Sequence, residues 1–297
     1  MSKNTIFTGA GVAIVTPMNT DGSVNYEKYR ELVEWQIENG TDAIITCGTT
    51  GESSTLDHEE HTAVMRAAIE QAKGRVPVIA GTGSNDTHYC IELSKEARAL
   101  GADALLLVTP YYNKTSQRGL IAHYSAIANE LKMPCLLYNV PSRTGVDIKP
   151  ETYAELSKNP YIVAIKEANG NLSAAAKTMA LCDGNVDLYS GNDDQILPIL
   201  SLGGKGVISV LSNVVPGPTH EIVARWFDGD VTGSCALQLQ LLDLASALFS
   251  DVNPIPVKEA MNQMGMNVGP CRLPLYEMDE KGKATLAAIL RRHGLIA

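Results

Sequence analysis

Short apolar runs alternate with longer amphipathic stretches along this chain. Runs rich in β-branched and aliphatic residues fall at 12–16 (VAIVT), 43–46 (AIIT), 76–80 (VPVIA), 104–108 (ALLLV), 135–138 (CLLY), 162–165 (IVAI), 186–189 (VDLY) and 206–210 (GVISV). Apolar side chains sit at consecutive positions in most of them. Both faces of each strand are therefore predicted to be buried, as in a parallel sheet. Between the runs, apolar residues recur at helical spacing. Tyr26, Tyr29, Val33 and Ile37 form one such stripe, and Gly40 follows as a C-terminal stop. Asp57 and Glu60 have the spacing of a reciprocal helix cap. Eight strand–helix units in succession predict an α/β fold, a closed (β/α)8 TIM barrel, with an open doubly wound sheet as the alternative. From about residue 225 the strand pattern ends. Helices are predicted over 233–249, 255–264 and 279–293, with a break at Pro254-Ile255-Pro256. The expected organisation is a barrel catalytic domain over 1–224 and a C-terminal helical region over 225–297 packed on it.

Composition narrows the class. The chain has 297 residues, 45% of them hydrophobic and 19% charged, which suits one large soluble barrel domain. A net charge of -9 offers no general attraction to nucleic acid or an anionic membrane, although a site can be locally positive. No run of 18 apolar residues predicts a membrane span, and the opening Met1-Ser2-Lys3-Asn4-Thr5 lacks the apolar core of a signal peptide. Six cysteines are scattered with no CxxC pair, as in a reducing cytosol, so a cytoplasmic location is expected.

In this fold the chemistry belongs at the C-terminal ends of the strands. The sixth run leads into Lys166, and period-2 alternation would put Ile162, Ala164 and Lys166 on one face. Burial there lowers a lysine pKa and yields the free amine that Schiff-base chemistry needs. A structural lysine paired across the barrel mouth is the other reading. Tyr138, at the end of the fifth run, can shuttle protons or simply fill the barrel. Residues 48–52 (GTTGE) form a glycine-bracketed loop whose amides suit a carboxylate or phosphate. The loop lacks the ending of a P-loop, and Gly81-Thr82-Gly83 lacks the third glycine of a dinucleotide fingerprint. Arg143, just after the fifth strand, can clamp a carboxylate or lie free on the surface. None of the six histidines directly follows a barrel strand, so no metal site is expected.

Six segments together carry a resemblance. GTTGE at 48–52, TPYYN at 109–113, YNVPSRTG at 138–145, IKEA at 165–168, GVISV at 206–210 and NPIPVK at 253–258 resemble the dihydrodipicolinate synthase family. That family lies within the class I pyruvate aldolases, beside N-acetylneuraminate lyase and the keto-deoxy-sugar-acid aldolases. The resemblance spans essentially the whole chain. It implies a lyase of lysine and diaminopimelate biosynthesis, joining pyruvate to L-aspartate 4-semialdehyde through an imine on Lys166 and using no external cofactor. Another pyruvate aldolase of the same family is the alternative, and a decayed, non-catalytic barrel is a second. Arg143 and the tyrosine pair Tyr111-Tyr112 look like the synthase rather than the lyase. By resemblance Thr49, Tyr138 and Tyr112 form a proton relay, with Tyr112 reaching in from a neighbouring subunit. The amides of Thr49 and Thr50 hold the pyruvate carboxylate, and Arg143 holds that of the semialdehyde. Gly191, Asn192 and Ile208 line the same mouth. The family implies a homotetramer, a dimer of dimers, with lysine as effector at Ser53, Ser54, His58, His61, Asn85, Tyr89 and Tyr111. Lysine-sensitive members carry glutamate where this chain has Tyr89, so a weak effector site is expected.

Overall fold

The structure, a computed structural model, describes residues 3–297; Met1 and Ser2, the start of the segment read for a leader, lie outside the described residues. Eight parallel strands close into a barrel in chain order. They are β1 (Gly9–Ala13), β2 (Ala43–Thr46), β3 (Val78–Gly81), β4 (Ala104–Val108), β5 (Cys135–Asn139), β6 (Ile162–Glu167), β7 (Asp187–Ser190) and β8 (Gly206–Ser209). The ring closes where β1 pairs with β8 and Gly9 faces Gly206. A Cβ on Gly206 would stand 1.8 Å from the Gly9 carbonyl oxygen, so only glycine permits that closure.

Helices wrap the barrel: α1 (Tyr26–Glu38), α2 (His58–Ala72), α3 (Thr87–Leu100), α4 (Gln117–Leu131), the short α5 (Pro141–Thr144), α6 (Pro150–Leu156), α7 (Leu172–Cys182), α8 (Ile196–Ser201) and α9 (Pro216–Phe227). Asp57 and Glu60 cap α2 reciprocally, and Gly40 follows α1 with φ +87°. The chain then adds α10 (Val231–Gln240), α11 (Leu242–Ala247), α12 (Ile255–Gln263) and α13 (Glu280–Arg292). Among the described residues no helix is long and apolar enough to cross a membrane.

The continuous apolar runs have a direct cause. In β4, Ala104 and Leu106 fill the barrel, while Leu105 and Leu107 pack outward under the helices. Each strand is buried on both sides, so neither face is polar. All six cysteines are free thiols, and Cys47, Cys90, Cys135 and Cys182 are buried.

Three sequence expectations shift. The first strand runs from 9 to 13, not 12 to 16; Gly9 and Gly11, which look like loop residues in the sequence, pair with β8. The backbone then leaves the sheet: the Val15 amide donates to Asn213 Oδ1 at 3.1 Å, not to a neighbouring strand. Ile162 points outward and Val163 inward, against the expected alternation. The β5–β6 register skips a residue, pairing Cys135 with Ile162 but Leu136 with Ala164. A bulge of this kind inverts the faces on one side of it, and two apolar faces hide it from the sequence. Finally, the helix expected over 233–249 breaks at Leu241, so that α10 packs on α9 and α11 turns to pack on α13.

Candidate active site

Beyond the bulge the alternation on β6 is regular, and Lys166 pairs in register with Tyr138 of β5. Both side chains sit on the inner face at the C-terminal end of the barrel. Lys166 Nζ lies 4.1 Å from the centroid of the Tyr138 ring, and Lys166 is 6% exposed. Burial pulls the lysine pKa down to about 7; Asp193 pushes it back up, and Arg143 adds to the lowering. A shift of this size leaves a substantial share of the amine neutral at neutral pH, the form in which a lysine can attack a carbonyl. Burial likewise raises the pKa of the Tyr138 phenol, against the Arg143 charge and the nearby Thr49 hydroxyl, which lower it. Tyr138 therefore stays protonated and can donate.

The loop at 48–52 leaves β2 through Cys47, whose φ is +53°, and ends at Glu52, whose φ is +55°. Left-handed backbone at two non-glycine residues is strained and is held by its surroundings. The Gly51 amide donates to Gly48 O and the Glu52 amide to Thr49 O, each at 3.1 Å. Thr16 Oγ1 donates to Gly51 O at 2.7 Å. The Thr49 and Thr50 amides donate to no acceptor among the described residues, as a carboxylate site requires. Glu52 is locked beneath them: Lys258 Nζ reaches Oε1 at 2.8 Å, and the Arg272 amide donates to Oε2 at 2.8 Å. Neither Glu52 nor Lys258 was assigned a role from the sequence, because only the fold brings together residues 206 positions apart.

Arg143 lies in α5, exposed at the lip, with Nη2 donating to Asn253 O at 3.1 Å. A cavity of about 450 Å³ opens beside it, lined by Thr49, Val140, Arg143 and Thr144. The same cavity runs on to Ser53, Ser54, His61, Tyr89 and Tyr111. Thr49 and Arg143 thus share one concavity with five of the effector candidates, while Lys166 and Tyr138 do not line it. Ile208 is buried inside the barrel. The Gly191 amide donates to Glu167 O at 2.7 Å. Asn192 borders a separate cavity of about 310 Å³ with Asp193 and Asp194, next to Phe249.

Tyr112 is not brought into the site of its own chain. It is 91% exposed and holds a φ of +66°. His58 is exposed and bonds Glu96 at 2.8 Å and the Tyr89 hydroxyl at 3.4 Å. His61 is buried, its Nε2 2.8 Å from Gly81 O, and burial lowers its pKa. Asn85 Nδ2 donates to Tyr111 O at 3.2 Å.

The sequence reading missed two buried acids near Lys166. Asp193 is 3% exposed. Its Oδ2 accepts from the Val210 and Leu211 amides at 3.0 and 2.9 Å, and its Oδ1 has no partner among the described residues. Its charge acts on Lys166. Glu167, the residue after Lys166, points the other way and accepts from Asn139 and Tyr153. Burial raises its pKa to about 7. An acid at the end of β7 and one beside the lysine were the available signals. Among the described residues no group of three or more His, Cys, Asp or Glu side chains could hold a metal ion.

Comparison with known proteins places this geometry. Residues 6–293 match the family model described as the dihydrodipicolinate synthetase family. The chain is 59% identical, over 98% of its length and 99% of the relative's, to the 4-hydroxy-tetrahydrodipicolinate synthase of Lachnoclostridium phytofermentans. Its fold is similar to the chloride-inhibited dihydrodipicolinate synthase of Acinetobacter baumannii complexed with pyruvate, with a TM-score of 0.96, 45% identity, and 98% and 100% of the two chains covered. The enzyme of Cyanidioschyzon merolae with lysine bound also has a TM-score of 0.96, at 40% identity, covering 99% of this chain and all of that one.

Proposed function

The chain belongs to the dihydrodipicolinate synthetase family, and from that premise we propose that it condenses pyruvate with L-aspartate 4-semialdehyde to 4-hydroxy-tetrahydrodipicolinate. The observation that carries this reading is a buried Lys166 whose pKa burial pulls down to about 7, its Nζ lying over the Tyr138 ring at the C-terminal end of a closed barrel. The pyruvate-bound relative of near-identical fold supports the first substrate.

The Lys166 amine adds to the pyruvate ketone, and water leaves to give a protonated imine. That cation draws electrons from the methyl carbon, a proton departs, and the enamine attacks the aldehyde carbon. The amino group of the adduct then displaces Lys166 and closes a six-membered ring. Each step moves a proton. Tyr138, with Thr49 beside it, is the inner part of the relay. Tyr112 completes it from a neighbouring subunit, which accounts for its exposure and strained backbone in the single chain. The Thr49 and Thr50 amides hold the pyruvate carboxylate, and Arg143 holds that of the semialdehyde. Gly191 and Ile208 shape the mouth, whereas Asn192 borders the separate cavity beside Phe249. The reaction draws on no external cofactor. The working assembly is a homotetramer in the cytoplasm.

Lysine as effector is part of the same proposal. The cavity beyond Thr49 contains Ser53, Ser54, His61, Tyr89 and Tyr111. Tyr89 brings no charge to an effector ammonium. Glu96 is close, yet already accepts from Thr62 and pairs with His58. Inhibition is therefore weak or shifted to high lysine.

The test is mass spectrometry after borohydride reduction with pyruvate, followed by turnover of an aldehyde panel. A pyruvyl adduct on Lys166 and preference for the semialdehyde support the reading. A label on another lysine would overturn the mechanism, and preference for a sugar aldehyde would favour the other aldolases.

A further inference from the structure

Between α11 and α12 lies Asn253, which makes one contact to each of the two substrate loops. We propose that it is a positioning residue that ties the pyruvate-carboxylate loop to the arginine that meets the second substrate, a proposal that rests on the two-carboxylate reading above.

Asn253 is 5% exposed. Its Nδ2 donates to Thr50 Oγ1 at 3.0 Å, and Thr50 is buried in the loop whose Thr49 and Thr50 amides have no acceptor among the described residues. Its main-chain oxygen accepts from Arg143 Nη2 at 3.1 Å. That carbonyl is the only hydrogen-bond partner of the Arg143 guanidinium among the described residues, so the place of Asn253 decides where the guanidinium rests. Five residues on, Lys258 grips Glu52 of the same loop in a buried ion pair. The loop and the segment 253–258 are thus joined at two points, and only the Thr50–Asn253 link continues to Arg143.

The side chain is not needed for packing alone. Asn253 Oδ1 is buried with no donor among the described residues. Burying a polar oxygen without a partner destabilises the fold, and leucine of similar shape would avoid that cost. What asparagine contributes is the bond from its nitrogen to Thr50. A carboxylate that settles on the Thr49 and Thr50 amides therefore biases Thr50, Asn253 and Arg143 together. By linkage, the pyruvate and semialdehyde subsites then strengthen each other.

The test compares the unmodified enzyme with Asn253→Leu, Thr50→Val, Thr50→Ser and Arg143→Ala. KM for each substrate, kcat and the borohydride-trapped fraction against pyruvate concentration are measured. Loss of one buried hydrogen bond corresponds to about a five- to tenfold effect. Asn253→Leu should raise both KM values by about that factor while kcat changes less. Thr50→Val should raise the semialdehyde KM although Thr50 belongs to the pyruvate loop, and Thr50→Ser should restore it. A merely structural role would lower the active fraction and kcat without that split. Asn253→Leu or Thr50→Val with an unchanged semialdehyde KM overturns the coupling. If Asn253→Leu does not fold, the Thr50 pair decides alone. If Arg143→Ala leaves the semialdehyde KM unchanged, or no adduct is trapped on the unmodified enzyme, the two-carboxylate reading falls and this proposal falls with it.

Discussion

The acidity of Lys166 can be tested directly by pH. At pH 7 an ordinary lysine of pKa 10.5 has about one amine in 3,000 unprotonated, whereas a pKa of about 7 leaves about half so. The attacking species gains on the order of a thousandfold, partly offset by the lower basicity of the amine. The shift corresponds to about 5 kcal/mol of differential interaction between the two protonation states, most of it from burial. Because the folded pKa is lowered, the neutral form is present above about pH 7 and is lost as pH falls. Pyruvate imine formation on the free enzyme should rise about tenfold per unit up to that region and then level off. The assay is a single turnover with pyruvate, quenched with borohydride at intervals between pH 5.5 and 9.5, and read as adduct mass. Two substitutions set the sign. Asp193 raises the lysine pKa and Arg143 lowers it. Asp193→Asn should therefore move the inflection to lower pH, and Arg143→Met to higher pH. An inflection near 10, a flat profile, or both variants shifting the same way would refute the argument.

Three further outcomes follow from the geometry. Lys258→Met leaves the buried Glu52 carboxylate without its cation and should cost about 3–5 kcal/mol of stability in denaturant unfolding. Adding Glu52→Gln should recover most of that loss, and no recovery would show that the pair is not what the fold depends on. Tyr112→Phe and Lys166→Arg should each be nearly inactive alone, yet mixed and reassembled they should regain activity, because one subunit then supplies the amine and the other the phenol. Hybrids as inactive as the parents would count against a relay across subunits. Tyr89→Glu should lower the lysine concentration needed for inhibition without altering pyruvate turnover, since charge-assisted hydrogen bonds are about twice as strong as neutral ones; a titration unchanged by the substitution would show that Tyr89 does not limit the site.

The eight-unit barrel was legible in the sequence because strands buried on both faces leave unbroken apolar runs between amphipathic helices. Lys166 and Tyr138 were legible for a related reason: a polar residue that ends an apolar run stands where a barrel places its chemistry. The Asp57–Glu60 cap and the Gly40 stop are local, set by side-chain reach and backbone freedom, so spacing alone revealed them. Tertiary structure decided the rest. The face of Ile162 turned on a register shift against β5, which two apolar faces conceal. The start of β1 turned on a glycine-to-glycine approach at the barrel seam. The pKa of Lys166 turned on burial together with Asp193 and Arg143, charges that arrive from the turn after β7 and from α5. The supports of the pyruvate loop, Asn253 and Lys258, come from about 200 residues further along the chain. Hydrophobic periodicity reports what each residue does relative to its own element. Electrostatic and hydrogen-bond partners are matters of distance in space, and only the closed barrel sets those distances.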